Sequence, residues 1–185
     1  RLSNTVGFDD APFARAHRGQ VRIVGAVFAD LRFDGVLIGA VEKDGSDATD
    51  ELVRLVRSSR FAEHVRLVLL QGIAFAGFNV VDVEGVHRRL GLPVLVVARR
   101  RPDLEAIEAA LRARVPGGTE KWALIRSAGP MESVGGVFVQ RAGLSLEQAE
   151  AVVSRLAVHG RIPEPLRVAH LIAGALADGE SRGRS

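Results

Sequence analysis

VRLVLLQGIAFAGFNVVD, residues Val65 to Asp82, is the stretch whose reading decides the architecture. Val65, Leu67, Val68, Leu69 and Leu70 form an apolar run interrupted only by Arg66, the pattern of a strand buried on both faces in the middle of a sheet. Gln71-Gly72 ends the run, and Gly77 lies in the loop that follows. Asn79 and Asp82 come just before a segment closing on RRLGLP, which reads as a helix over Val80 to Leu90 with a glycine stop. The next apolar run, Val94 to Ala98, is a second strand, and two strands joined by one helix of this length are parallel and connected right-handedly. Ligands of open α/β sheets sit outside the carboxyl ends of the strands, which directs attention to the QGIAFAGFN loop.

On the N-terminal side a short strand, Thr5 to Phe8, runs into Asp9-Asp10-Ala11-Pro12. Two aspartates at a strand end repel each other unless a cation or hydrogen-bond donors lie between them, so the pair either holds a metal or divides into a turn opener, Asp10, and a solvated Asp9. The runs Gln20 to Ala29 and Phe33 to Val41, separated by three residues, make a hairpin and complete an antiparallel meander with the first strand. An acidic loop then leads into a helix marked by Ala48, Leu52, Leu55 and Val56. Asp47 is placed to cap it, with Asp50 and Glu51 in its first turn, where the helix dipole favours negative charge. Asp47 or Asp50 is alternatively a metal ligand.

Beyond the second parallel strand, Pro102 opens a helix with Leu104, Ile107 and Leu111 as its buried stripe. A strand is expected around Trp122 to Arg126, a loop from Ala128 to Ser133 and a strand from Val134 to Gln140. Ser145 and Gln148 form a capping box for a helix carrying Leu146, Ala149, Val153 and Leu156. The Arg161 to Arg167 segment is fixed by two prolines, and a last helix covers Val168 to Leu176.

The 185 residues, 47% of them apolar, are enough for one domain spanning 1–185 with a sizeable core. The absence of cysteine excludes disulfides and thiolate metal sites and makes a cytoplasmic setting the expectation. No apolar run approaches the roughly 20 residues needed to span a bilayer, so no membrane partner is expected. Of 25 basic residues all but Lys43 and Lys121 are arginine, with local clusters at Arg99 to Arg101, Arg88-Arg89 and Arg182 to Arg184. Arginine suits phosphate recognition through its planar donor fork, although solvated surface charge is the favoured reading of the first two clusters. His17, His64, His87, His159 and His170 show no metal-ligand spacing, and most read as structural or exposed. QGIAFAG matches neither a phosphate-binding loop of the Gly-Lys type nor the GxGxxG spacing.

Three antiparallel strands, a helix, a central strand, a crossover and a parallel strand follow the order of the ribonuclease H-like fold, an α/β mixed sheet flanked by helices. GFDDAPF (Gly7 to Phe13), DGSDAT (Asp44 to Thr49), SRF (Ser59 to Phe61), the QGIAFAGFNVVD stretch, GLPV (Gly91 to Val94) and IPEPLRVAHLIA (Ile162 to Ala173) add specificity. On these motifs the chain resembles the archaeal domain-of-unknown-function family ninety-nine and, more distantly, endonuclease V.

The resemblance implies a metal-dependent phosphodiesterase acting on DNA or RNA, with magnesium or manganese as cofactor. It implies catalytic roles for Asp9, Asp47 and Gln71, metal ligation by Asp9, Asp10, Asp47 and Asp50, and substrate contacts from Asn79 and Arg167. The chain departs from the endonuclease V pattern at Gln71-Gly72, where that enzyme has Asp-Gly, at Leu144, where it has histidine, and at His170, where it has aspartate. A glutamine carbonyl completes a magnesium shell through water without neutralising charge. The tyrosine-proline wedge is missing, since the chain has no tyrosine. A nucleic-acid-binding protein that has lost turnover and a structural, partner-binding subunit are the two other function classes the sequence leaves open.

Overall fold

The computed structural model describes residues 2–181; the Arg182 to Arg184 cluster lies outside them. Among the described residues one seven-stranded mixed sheet organises the chain. Its first three strands, β1 (Asn4–Asp10), β2 (Gln20–Ala29) and β3 (Arg32–Glu42), form the expected antiparallel meander. Helix α1 (Ala48–Ser58) leads to the central strand β4 (Leu67–Gln71), which lies parallel to β1 with Phe8 opposite Leu70. Asp9 and Gln71 therefore leave adjacent strands at the same sheet edge.

The QGIAFAGFN loop is a small hairpin of its own, β5 (Ala74–Phe75) and β6 (Asn79–Val80). Helix α2 (Val83–Leu90) starts three residues later than its apolar pattern suggests, because the Asp82 carboxylate accepts the Gly85 N–H and caps it there. Strand β7 (Val94–Ala98) returns parallel to β4.

Helices α3 (Leu104–Arg114) and α4 (Gly118–Ser127) follow. The expected strand at Trp122 to Arg126 is thus part of a helix. Its apolar run is too short to separate the two periods locally, and what decides is burial at Gly118, Lys121 and Ile125, a helical spacing that seats α4 against Leu111 of α3. The expected strand Val134 to Gln140 is broken by Gly135-Gly136, both at positive φ, into a hairpin of β8 (Glu132–Val134) and β9 (Val137–Ala142), with β9 antiparallel to β7.

Helix α5 (Leu146–Leu156) carries the capping box read from Ser145 and Gln148, although Leu146 is exposed. The closing helix α6 (Glu164–Asp178) begins earlier than expected and includes the second proline, which the first turn tolerates because its N–H would have no helical partner anyway. The strand order is β3-β2-β1-β4-β7-β9-β8. No helix among the described residues is long and apolar enough to cross a membrane.

Val6 and Phe8 face one side of the sheet and Thr5, Gly7 and Asp9 the other, following the two-residue alternation of a strand. Gly7 is what lets α6 lie flat on β1: a Cβ there would meet the Pro165 carbonyl carbon at 2.6 Å and the Leu166 nitrogen at 2.8 Å. That close approach brings the start of α6 to the carboxyl edge of the sheet.

Candidate functional site

The parallel strands β1, β4 and β7 end at one edge, and the alternation along β1 sends its two terminal carboxylates to opposite faces. Asp9 turns toward α6, where its Oδ2 lies 2.9 Å from His170 Nδ1. Asp10 turns toward the β5–β6 hairpin and accepts the Ala76 N–H at 2.6 Å. The Asp10 N–H in turn donates to Asp9 Oδ1 at 2.8 Å, so the two groups remain in contact at the edge.

A cavity of about 640 Å³ opens over this edge, lined by Asp9, Asp10, Phe13, Gln71, Arg99, Arg167 and His170 among others. Its electrostatics are unusual for an aspartate pair. Asp9 is only 5% exposed. Burial, reinforced by the Asp9 charge and a hydrogen bond with it, pushes the Asp10 carboxyl up to about 7, although the Ala76 N–H works the other way. His170, whose side chain is 47% exposed, is held above its ordinary value by the hydrogen bond to Asp9 and by that carboxylate's charge, against desolvation and the nearby Arg99. The site is therefore a pair of adjacent carboxyls, Asp10 raised by burial beside Asp9, with an imidazole on one side.

Arg167 points into the cavity but is not free. Its Nε and Nη2 donate to the two oxygens of Glu164 at 2.7 and 2.8 Å, a bidentate pair that lowers the carboxylate's pKa. One face of the guanidinium is fixed by that fork. Gln71 Nε2 reaches toward the Val97 carbonyl at 3.5 Å, a contact at the limit of hydrogen bonding, and the side chain stays at the cavity wall.

The remaining residues expected at the site are placed elsewhere. Asp47 precedes α1 without making a side-chain cap bond; its carboxylate accepts from Asn79 Nδ2 at 2.6 Å and from the Glu42 N–H at 3.1 Å. Asn79 is fully buried and spends its other groups on the Glu42 carbonyl and the Ala48 N–H, which leaves none of it facing a ligand. Its amide oxygen thus does the capping expected of Asp47. Asp50 lies in the first turn as read, 76% exposed, and pairs with Arg89. None of these three lines the cavity. Among the described residues no three histidine or carboxylate side chains come together as a metal-holding group, so the expected four-aspartate cluster reduces to Asp9 and Asp10.

The same acidic loop has a structural task. Asp44 Oδ1 accepts the Phe78 N–H, and the Asp44 N–H donates to the Ala76 carbonyl, while Ala76 itself sits in the left-handed region at φ 48°. Lys121, buried and with its pKa drawn down by desolvation, donates to the Asp44 and Gly45 carbonyls. Loop, hairpin and α4 are thereby locked together behind Asp10.

His170, Arg99 and Asp178 are ionisable cavity residues that the sequence had not assigned to the site. The only local signal for His170 was its place in IPEPLRVAHLIA; its partner Asp9 is 161 positions away. Arg99 was visible solely as one of three consecutive arginines after a strand.

Comparison with known proteins places these features in a lineage. A UPF0215 protein of Deinococcus radiodurans is 59% identical over 184 residues, covering all of this chain and 94% of that protein. The crystal structure of a protein of unknown function from Archaeoglobus fulgidus superposes with a TM-score of 0.87 at 35% identity, covering 94% of this chain and 97% of the other. Endonuclease V of Ciona intestinalis, solved with a 24mer DNA containing an inosine followed by a ribo-adenosine, shares the fold at a TM-score of 0.58 and 15% identity, over 91% of this chain and 83% of that one. The family model for endonuclease dU matches residues 1–177, and with this fold and this carboxyl-edge cavity the chain belongs to the endonuclease dU family.

Proposed function

We propose that the chain is a metal-dependent endonuclease that cleaves a phosphodiester bond of DNA, with dU, the nucleotide in its family's name, marking the site of attack. The observation that carries the reading is the cavity in which Asp9, Asp10 and His170 meet two arginines at the carboxyl edge of β1 and β4.

The donor set fits a divalent ion of the magnesium type. Burial beside Asp9 keeps the Asp10 proton up to about 7, and a divalent cation would relieve the same conflict by taking that proton's place. Magnesium commonly takes only one or two protein carboxylates and retains several waters, so Asp9 and Asp10 would suffice, with Gln71 reaching it through water. Such an ion supplies an activated water and stabilises the leaving oxygen. The residues of the chain do the remainder. Asp9 fixes the His170 ring through Nδ1, which leaves Nε2 as the nitrogen that exchanges a proton with water or a leaving group. Arg99 and the uncommitted edge of Arg167 orient a phosphate over the carboxylates.

A second reading, a nucleic-acid-binding protein without turnover, is favoured by one feature: Gln71 stands where a third carboxylate would complete the site, and Asp47 is engaged by Asn79 instead. Incubating labelled DNA duplexes and single strands, with and without one dU, in magnesium or manganese separates the two. Cleavage at dU that is lost in Asp9→Asn supports the nuclease. Binding without cleavage under every metal condition supports the second reading, and absence of both removes nucleic acid from the function.

A further inference from the structure

A second cleft, of about 310 Å³, adjoins the cavity and shares Arg99 and Ile162 with it. Its other walls are Arg100, His159, Arg161 and the Gly136 turn between β8 and β9. Arg99, Arg100, His159 and Arg161 are all exposed, and none forms an ion pair among the described residues. Of the acids nearby, Glu164 is held by Arg167 and also faces His159, and Asp178 lines the first cavity with Arg99 without forming an ion pair with it. Arg161 lies over Gly136, where a Cβ would meet its Cδ at 2.9 Å, so the glycine turn makes room for the guanidinium stem.

The placement follows from the topology. Ala98 ends β7 opposite Phe138 of β9, so Arg99 and Arg100 emerge at the same edge as the β8–β9 turn. From β1 to β9 is three strand spacings, roughly 14 Å along that edge, or at most about four nucleotides at the 3.4 Å axial rise of one DNA strand. Three guanidinium groups without ion-pair partners, beginning at the wall of the first cavity and continuing away from it, match a polyanion rather than a single small anion.

We infer that this cleft is the track for the sugar-phosphate backbone of a nucleic-acid strand, holding phosphates a few nucleotides to one side of the bond at Asp9 and Asp10. The inference rests on the nuclease reading and extends it: the substrate is a polynucleotide gripped asymmetrically, and Arg100 and Arg161 bind it without belonging to the reacting centre.

The test is equilibrium binding of a fluorescein-labelled duplex and a labelled single strand, each carrying one dU, measured by anisotropy over a salt series in the presence of a chelator so that no turnover occurs. Replacing Arg100 and Arg161 together by alanine should weaken binding about ten-fold at low salt and reduce the slope of log K against log salt by about 2, near 1 per phosphate contact. Arg100→Lys with Arg161→Lys should restore most of the slope, because lysine keeps the charge. Arg112→Ala with Arg114→Ala, an equal loss of charge on α3, should leave the slope nearly unchanged. If the wild type binds and the alanine pair binds with the same slope, or if the α3 pair loses as much, the track is wrong while the nuclease reading stands. If the wild type binds neither strand form, both fall.

Discussion

Two acid-rich regions lie close together in the sequence, and they do opposite things. At the end of β1, Asp9 and Asp10 are buried against each other, and Asp10 keeps its proton up to about 7. In the loop before α1, Asp44 and Asp47 accept hydrogen bonds from N–H groups of Phe78, Glu42 and Asn79, while Asp50 meets Arg89. The acidic loop is consumed by folding. The β1 pair has a residual conflict, like charge in a half-closed cavity, that folding alone does not resolve. All of these acids accept hydrogen bonds from the chain; what sets Asp9 and Asp10 apart is that each also confronts a second acid at the wall of a cavity, a conflict that a substrate or cation would relieve.

The largest effect expected on this contrast is catalytic. Asp9→Asn removes a charge at the cavity and the strong acceptor for His170, and metal-dependent cleavage should fall by about a thousand-fold, the equivalent of the several kcal/mol a metal site contributes. Asp47→Asn should change turnover little. Cleavage rates for both variants decide the matter, and equal losses would erase the distinction between the two regions.

Stability should show the reverse order. Asn79→Ala strips partners from the Glu42 carbonyl, the Ala48 N–H and the Asp47 carboxylate in a fully buried position, a cost of about 2–4 kcal/mol in denaturant unfolding. Gly7→Ala should cost about 1–3 kcal/mol by pushing α6 off β1, and should disturb cleavage too because His170 rides on that helix. A Gly7→Ala protein with unchanged stability would mean that the β1–α6 contact is less tight than it stands here.

The pH dependence sharpens the comparison further. A carboxyl whose folded pKa is raised binds more protons in the folded state, so its contribution is fully present below its ordinary 3.8 and is lost as pH rises toward about 7. His170 acts in the same direction at higher pH, stabilising below its ordinary 6.5 and losing that contribution above its raised value. Unfolding free energy contributed by the site should therefore decline between about pH 4 and 7. Asp10→Asn should flatten that decline, and magnesium should raise the melting temperature more at pH 7.5 than at pH 5 (both roughly chosen either side of the Asp10 transition). Melting curves that keep the same slope in Asp10→Asn would show that Asp10 titrates normally.

The smallest effect belongs to Asp50. It and Arg89 form an exposed pair, and Asp50→Ala should change stability by less than about 0.5 kcal/mol and leave cleavage untouched. Thermal melts and initial rates are sufficient to see this.

Local chemistry made much of the architecture readable. The apolar run ending at Gln71, the β2–β3 hairpin and the Ser145–Gln148 box all rest on interactions a few residues long, and the right-handed crossover makes β7 parallel to β4. The pairing of β1 with β4 was what the ribonuclease H-like order implied, and that of β9 with β7 was not foreseen. Where local signals conflict, reading failed: Trp122 to Ile125 is apolar enough for a strand, and only packing against Leu111 makes it helical. The β1 aspartates were legible because consecutive acids at a strand end are chemically conspicuous.

The sequence by itself determined most of the elements, α4 and the two small hairpins excepted, and that acids gather near the sheet edge. Tertiary structure alone decided which acids face a cavity, since that depends on who supplies the opposing donor. Asp9 meets His170 across 161 positions, Asp10 meets Ala76 across 66 and Asp47 meets Asn79 across 32. A carboxylate's role follows from which donors and which neighbouring charge it meets, and at such separations only the folded backbone brings those partners within hydrogen-bonding distance.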